Sequence, residues 1–321
     1  MTQALITARV RLVRDEAIDV KIFEFDRSDG GALPEFTPGA HIDVYLPEGW
    51  IRQYSLCNGP DERGFYRIAV KKEPASRGGS RTMHDDVRKG DLLQIGAPRN
   101  NFRLVEDSDH VVLIAAGIGI TPLLSMALHL IHNGRSFELH CFSRSAEHTA
   151  YRQLLSSPEF LDKTVFHLGL DAEQVDIELR RILGHRSPNS HLYLCGPGAF
   201  MDLVEKAAKP IWPLQNVHLE HFGAAPGLDC LPKDEFTIRL AHSGIEFVVA
   251  RGQSVIEALA EHGVMVDTSC EQGVCGTCLT RVLEGIPDHR DVFLTDGEKT
   301  AGDQMCLCVS RAKSSVLVLD L

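Results

Sequence analysis

Cys270-Glu-Gln-Gly-Val-Cys275-Gly-Thr-Cys278 packs three thiols into one short run, and Cys306 and Cys308 follow about 30 residues later. A C-x4-C-x2-C run with a distant further cysteine is the plant-type ligand spacing of a 2Fe-2S cluster. No other feature constrains the fold as tightly, because one loop must wrap its thiolates around iron while a later segment returns the last donor. Thiolates are needed as soft, anionic ligands. Gly273 and Gly276 suit a loop with unusual backbone angles and close amide approach to sulfur. Structural zinc is the competing use of such cysteines, but zinc usually takes two C-x2-C-type knuckles, and the Cys306-Leu-Cys308 side has none. Spacing alone leaves both Cys306 and Cys308 open as the fourth donor; the other is then a small buried hydrophobe.

The remaining cysteines, Cys57, Cys141, Cys195 and Cys230, are scattered, and the total of nine is odd. That argues against a disulfide framework and for metal or redox chemistry in a reducing compartment. The formal charge of −11 disfavours nucleic acid and anionic membrane surfaces as partners. The longest apolar stretch, Val111 to Leu130, is broken by Gly117, Gly119, Thr121 and Pro122 and carries His129, so no membrane span is expected. The start lacks the apolar core of a signal peptide. A cytoplasmic protein without a membrane partner is the expectation.

A chain of 321 residues has room for two or three domains. From about residue 5 to 104, short alternating segments such as ARVRLVRDE, DVKIFEFDR and YRIAVKKE are separated by turn signals, which predicts an antiparallel β-barrel. Near residue 109 the pattern changes. HVVLIAAG reads as a strand buried on both faces, followed by the amphipathic TPLLSMALHLIHNG. The alternation recurs through FELHCFSR, a helical YRQLLSSPEF, TVFHLGL, a helical DIELRRILG, HLYLCGP and a helical GAFMDLVEKAAK, which predicts a doubly wound parallel α/β sheet ending near Phe222. Residues 223–234 read as a Gly/Pro-rich linker. The expected domains are therefore 1–104, 105–222 and 235–321, the last being a small β-rich domain around the cysteines. Gly117-Ile-Gly119-Ile-Thr121-Pro122 follows a buried strand and opens a helix, where amides and a helix N-terminus can hold a pyrophosphate. Pro122 stands where a full fingerprint has its third glycine.

Arg52-Gln-Tyr54-Ser55-Leu56 matches the RxYSL signature of the ferredoxin reductase superfamily, and Cys308-Val-Ser-Arg-Ala-Lys before a terminal VLDL resembles the phthalate dioxygenase reductase family. The resemblance spans essentially the whole chain. It implies an FMN-binding barrel, an NAD-binding α/β domain and a C-terminal β-grasp ferredoxin domain, with Cys270, Cys275, Cys278 and Cys308 as cluster ligands. A slightly longer stretch between Cys278 and Cys308 than is usual keeps Cys306 in play. In the flavin site, Arg52 would neutralise phosphate, Tyr54 would supply an aromatic wall, and Ser55 would bond the polar edge near N5. Val70 and Lys71 lie on the second flavin strand. Ser76-Arg77-Gly78-Gly79-Ser80 resembles the family's phosphate loop, in which glycines would admit backbone amides.

For the nucleotide, Cys195-Gly196-Pro197 pairs with the Gly117 loop, and Arg144 could reach the adenosine ribose. No acidic residue after that strand separates NADH from NADPH; the resemblance favours NADH. Phe222 would cover the flavin face. Ser55, Cys195 and Phe222 are thus the candidate catalytic residues.

Electron counting gives the scheme its order. Nicotinamide releases two electrons as hydride and a cluster takes one, so a flavin between them divides the pair. The expected activity is an NADH-dependent reductase serving the terminal component of a Rieske-type ring-hydroxylating or O-demethylating oxygenase. Two rivals are the same cofactor chain with another acceptor, and a non-enzymatic redox-sensing module. Residues 233–321 carry 8 Lys/Arg against 14 Asp/Glu, which suggests an acidic docking face for a basic acceptor.

Overall fold

Three sheets organise the chain in a computed structural model that describes residues 5–74, 78–223 and 234–321. Ser76 and Arg77, and all of the expected linker except Gly223 and Asp234, lie outside the described residues. The chain divides into two compact units, one reaching to Phe222 and one from Gly223 to Leu321.

The first sheet contains β1 (Ile6–Ala17), β2 (Val20–Arg27), β3 (His41–Tyr45), β4 (Ile51–Ser55), β5 (Tyr66–Lys71) and, after helix α1 (Gly79–Asp85), β6 (Leu92–Ile95). Its order is β4-β3-β6-β1-β2-β5, with antiparallel pairings. Just past β4, Cys57 N–H donates to the Arg67 carbonyl at 2.8 Å and Asn58 Oδ1 accepts from Arg67 N–H at 2.9 Å, which ties the two edge strands into a barrel. The sequence pattern predicts neither strand β6 nor helix α1. β6 is four residues long, and its partners β1 and β3 are distant in sequence, so nothing local announces it.

The second sheet holds β7 (His110–Ala116), β8 (Phe137–Ser143), β9 (Thr164–Leu168), β10 (Ser190–Cys195) and β11 (Val217–Glu220) in the order β11-β10-β7-β8-β9, all parallel. Helices α2 (Ile120–His132), α3 (Arg152–Leu155), α4 (Ala172–Leu183) and α5 (Gly198–Ala208) make the crossovers. The expected helix over YRQLLSSPEF shrinks to the single turn α3. Tyr151 enters it in a left-handed conformation, and Pro158 disfavours helical geometry at the residue before it.

Barrel and parallel sheet share a core: Val20, Ile22, Cys57 and Ala69 pack with Leu123, Tyr151 and Phe160. Alternation in β2 therefore serves two interiors at once, because Phe23 and Phe25 fill the barrel while Val20 and Ile22 meet the nucleotide half.

Two histidine pairs lie in the parallel sheet, with His140, His167 and His191 buried and His218 half-buried. His140 Nδ1 meets His167 Nε2 at 3.1 Å, and His191 Nδ1 meets His218 Nε2 at 2.9 Å. Burial, then the neighbouring imidazole, holds His167 and His218 down at about 4. The unfolded chain takes these protons near pH 6.5 and the fold resists them, so stability present above that pH is lost as pH falls towards 4. Thermal unfolding should shift down by about 5 °C between pH 7 and pH 4.5. A His167→Gln, His218→Gln double variant should lose most of that dependence, and an unchanged pH profile would assign it elsewhere.

In the second unit, β12 (Phe236–Leu240), β13 (Glu246–Val249), β14 (Leu279–Glu284), β16 (Gln304–Cys306) and β18 (Val316–Leu319) form a sheet in the order β13-β12-β18-β14-β16. The short strands β15 (Pro287–Asp288) and β17 (Arg311–Ala312) pair beside it. β12 and β18 run parallel, and α6 (Val255–Glu261) packs Val255, Ala258 and Leu259 into their core in β-grasp fashion. Capping boxes, Ser254 with Glu257 and Thr295 with Glu298, start α6 and α7 (Asp296–Ala301). Among the described residues no helix is long and apolar enough to cross a membrane.

Candidate functional site

The cysteine loop joins α6 to β14, and its backbone is left-handed at Glu271, Gly273 and Gly276. A Cβ on Gly273 would lie 2.6 Å from Val309, and one on Gly276 would strike the Phe293 ring. Only glycine lets the loop close this tightly. Amides already point at sulfur: Gln272 N–H donates to Cys270 Sγ at 3.3 Å and Thr277 N–H to Cys275 Sγ at 3.4 Å.

The neighbouring Cys275 and Cys308 hold the Cys270 thiol well below its usual range, and Cys306 and Cys308 lower that of Cys278 likewise. Cys306 is wholly buried at the end of β16 opposite Leu279, whereas Cys308, past the strand, is half-buried. Among the described residues no three His, Cys, Asp or Glu side chains are grouped to hold a single metal ion. Cysteine sulfurs with amides aimed at them fit a two-iron cluster held by four thiolates.

In the barrel, β4 carries Arg52, Tyr54 and Ser55. Arg52 lies over the Trp50 ring at 4.9 Å. A Cβ on Gly79 would come within 2.6 Å of Arg52 Nε, and one on Gly78 within 2.6 Å of Trp50 Nε1. The glycines thus leave a narrow cradle against a guanidinium. Trp50 Nε1 is buried with no hydrogen-bond partner, a donor waiting for an acceptor of the kind a phosphate supplies, and sequence reasoning did not single it out. These features fit a flavin phosphate. Ser80 Oγ accepts from Glu73 N–H at 3.1 Å and Lys71 pairs with Glu73 at 2.6 Å. Leu56 and Val70 are buried in the barrel core, so their side chains pack and do not line the cradle. Tyr54 is half-buried, and desolvation pushes its phenol above the ordinary range.

In the parallel sheet, Gly117 has φ 55° and Gly119 presses so closely on the Cys195 carbonyl that a side chain would collide with it. A Cβ on Gly196 would sit 2.8 Å from that of Ala116. Thr121 Oγ1 donates to the Ile118 carbonyl at 3.0 Å, and Pro122 is buried in α2. A narrow cleft of about 10 Å³ at this end of the sheet is lined by Gly117, Ile120, Ser143, Thr149 and Ala150, on the carboxyl side of the strands where such folds bind ligands. Arg144 is exposed just past β8, and Pro197 leads into α5.

At the carboxyl end of the parallel sheet the two halves bring three side chains together. Cys195 and Glu220 are register partners at the ends of β10 and β11, and Ser55 Oγ reaches Glu220 Oε2 at 3.5 Å. Desolvation pushes the Glu220 carboxyl up to about 8, against the lowering pull of Ser55. Burial, then the nearby Glu220, pushes the Cys195 thiol far up, which holds it neutral and makes it a poor nucleophile. Phe222 is 40% exposed, hence outside the packed core. Glu220 was missed; its signal is a carboxylate at the carboxyl end of a predicted parallel strand, in HLEHFGA.

The family model described as an oxidoreductase FAD-binding domain matches residues 8–104, and that of a 2Fe-2S iron-sulfur cluster binding domain matches residues 238–313. The vanillate O-demethylase oxidoreductase of Pseudomonas sp. (strain HR199 / DSM 7063) is 45% identical over 322 residues, covering 100% of both chains. The solved structure of phthalate dioxygenase reductase, described as a modular structure for electron transfer from pyridine nucleotides to 2Fe-2S, is 40% identical with a TM-score of 0.79, over 99% of this chain and 98% of that one. An intact type IV self-sufficient cytochrome P450 monooxygenase matches at 32% identity and a TM-score of 0.84, over 99% of this chain and 41% of its own.

Proposed function

The chain belongs to the phthalate dioxygenase reductase-like family of oxidoreductases, and from that membership we propose that it oxidises NADH and delivers electrons, by way of FMN and a 2Fe-2S cluster, to the terminal component of a Rieske-type oxygenase. The observation that carries this reading is the meeting of Ser55, Cys195 and Glu220, one from the barrel and two from the nucleotide sheet. When bound, the flavin supplies exchange between a two-electron donor and a one-electron acceptor.

The protein's own part is to hold and align. Arg52, Trp50, Gly78 and Gly79 form the flavin phosphate cradle, while the Gly117 loop and the amino end of α2 receive the pyrophosphate. Ser55 and Cys195 would flank the place where nicotinamide and flavin meet, and Phe222 would offer an aromatic face to shield it. Cys270, Cys275, Cys278 and Cys308 hold the cluster. By this assignment residues 1–104, 105–222 and 235–321 bear flavin, nucleotide and cluster in turn.

Spectra recorded before and after anaerobic NADH addition test the scheme. Flavin and 2Fe-2S bands should both bleach; a colourless protein would sink it. FMN is what the resemblance implies, and mass spectrometry of the released flavin should find FMN, with FAD as the result that corrects the assignment. A second reading, a haem acceptor, is favoured by the whole-chain match inside the self-sufficient cytochrome P450. Reconstitution separates the two: substrate turnover with a Rieske oxygenase component supports the first, turnover only with a cytochrome P450 the second. The excess of acidic residues in the cluster unit predicts that transfer to a basic acceptor slows as salt rises.

A further inference from the structure

Glu16 owes its direction to an irregularity in β1. The register against β2 slips between Asp15 and Ala17, so Glu16 is the extra residue of a bulge, a device that re-aims a side chain. Its Oε1 accepts from the Tyr151 amide at 2.9 Å, and its Oε2 pairs with Arg14 at 2.9 Å. Just beyond the strand, Ile18 N–H donates to the Glu147 carbonyl at 2.9 Å. Residues 147–151 of the nucleotide half are thus fastened at both ends to the barrel's first strand.

Tyr151 is an unusual residue to find at such an anchor. Its φ is 58°, a left-handed state that a bulky side chain adopts only where its surroundings over-determine it. Those surroundings are on view: the ring is 2% exposed, in the core shared with Val20, Ile22 and Cys57, and Glu16 takes the amide. The two residues before it, Thr149 and Ala150, form one wall of the cleft beside Gly117 and Ser143. Thr149 is fixed in turn, its Oγ1 donating to the Ser145 carbonyl at 2.9 Å.

We infer that Glu16, acting through Tyr151, is a positioning residue for the dinucleotide: a carboxylate from the flavin barrel holds the loop that walls the nucleotide cleft. The inference rests on reading that cleft as the nucleotide site.

The test is calorimetric titration of the purified holoprotein with ADP-ribose, which carries the dinucleotide's pyrophosphate without its redox ring and so undergoes no chemistry. Glu16→Ala should weaken binding about tenfold, the loss expected for one charge-assisted hydrogen bond, with flavin content and cluster spectrum unchanged. Glu16→Gln keeps an acceptor and should stay within about twofold of the unaltered protein. A folded Glu16→Ala protein that binds ADP-ribose as tightly as the unaltered one overturns the proposal. Should that variant not fold, Glu16→Asp carries the test by drawing the acceptor back one methylene: a weakening of about threefold or more is expected, and unchanged affinity overturns it. If the unaltered protein itself fails to bind ADP-ribose, the nucleotide reading falls and the inference with it.

Discussion

A Cys308→Ser protein should emerge from purification with its 2Fe-2S absorption and reduced-state paramagnetic signal gone, while Cys306→Ser keeps both. Cys306 ends a paired strand with its side chain wholly buried, whereas Cys308 lies past that strand and is half-buried. A fourth donor must return to the sulfurs the loop presents, and position 308, outside the strand ladder, is the one proposed to do so. Serine oxygen is a hard donor and a poor substitute for thiolate, so iron and sulfide content should fall at least tenfold or so in Cys308→Ser. The flavin bands should remain and still bleach with NADH. Cluster loss in Cys306→Ser with retention in Cys308→Ser would reverse the assignment.

Anaerobic flavin reduction by NADH should slow about 100-fold in Ser55→Ala, the scale on which a single aligned donor at a reacting centre acts. Cluster content should be untouched. Glu220→Gln tests the same junction through pH. With its carboxyl pushed up to about 8 by desolvation, Glu220 is neutral at pH 7 and ionises as pH rises through that value. By the proposed assignment the charge would then appear beside the point where two electrons arrive, so reduction should slow above pH 8. Glu220→Gln cannot ionise and should give a flat profile across the same range. A decline that persists in Glu220→Gln would place the titrating group elsewhere.

Much of this site is legible in the amino-acid sequence, and the legible part is local. Cys270 to Cys278 announce a cluster because ligand spacing along one loop is itself the signal. Gly117 and Gly119 announce a phosphate loop because a buried strand precedes them and an amphipathic stretch follows. Strands β7 and β10 stand out because burial on both faces leaves an unbroken apolar run.

The illegible part depends on partners far off in the chain. Four-residue β6 takes its identity from β1 and β3. Trp50 gains interest only once Gly78 is laid against it. Tyr151 interrupts a helix that its neighbours' periodicity favours, because its ring is claimed by the shared core and its amide by Glu16.

By itself, then, the sequence determined the kinds of chemistry present: a cysteine loop for iron and sulfur, glycine turns for phosphate, and a barrel followed by a parallel sheet. Each rests on short-range spacing, which a chain carries whatever its tertiary arrangement. Only the folded structure decided that barrel and parallel sheet share one core, and that Glu220 stands between Ser55 and Cys195. Those are facts of distance and desolvation, set in part by residues more than a hundred positions apart in the chain, as Ser55 and Glu220 are.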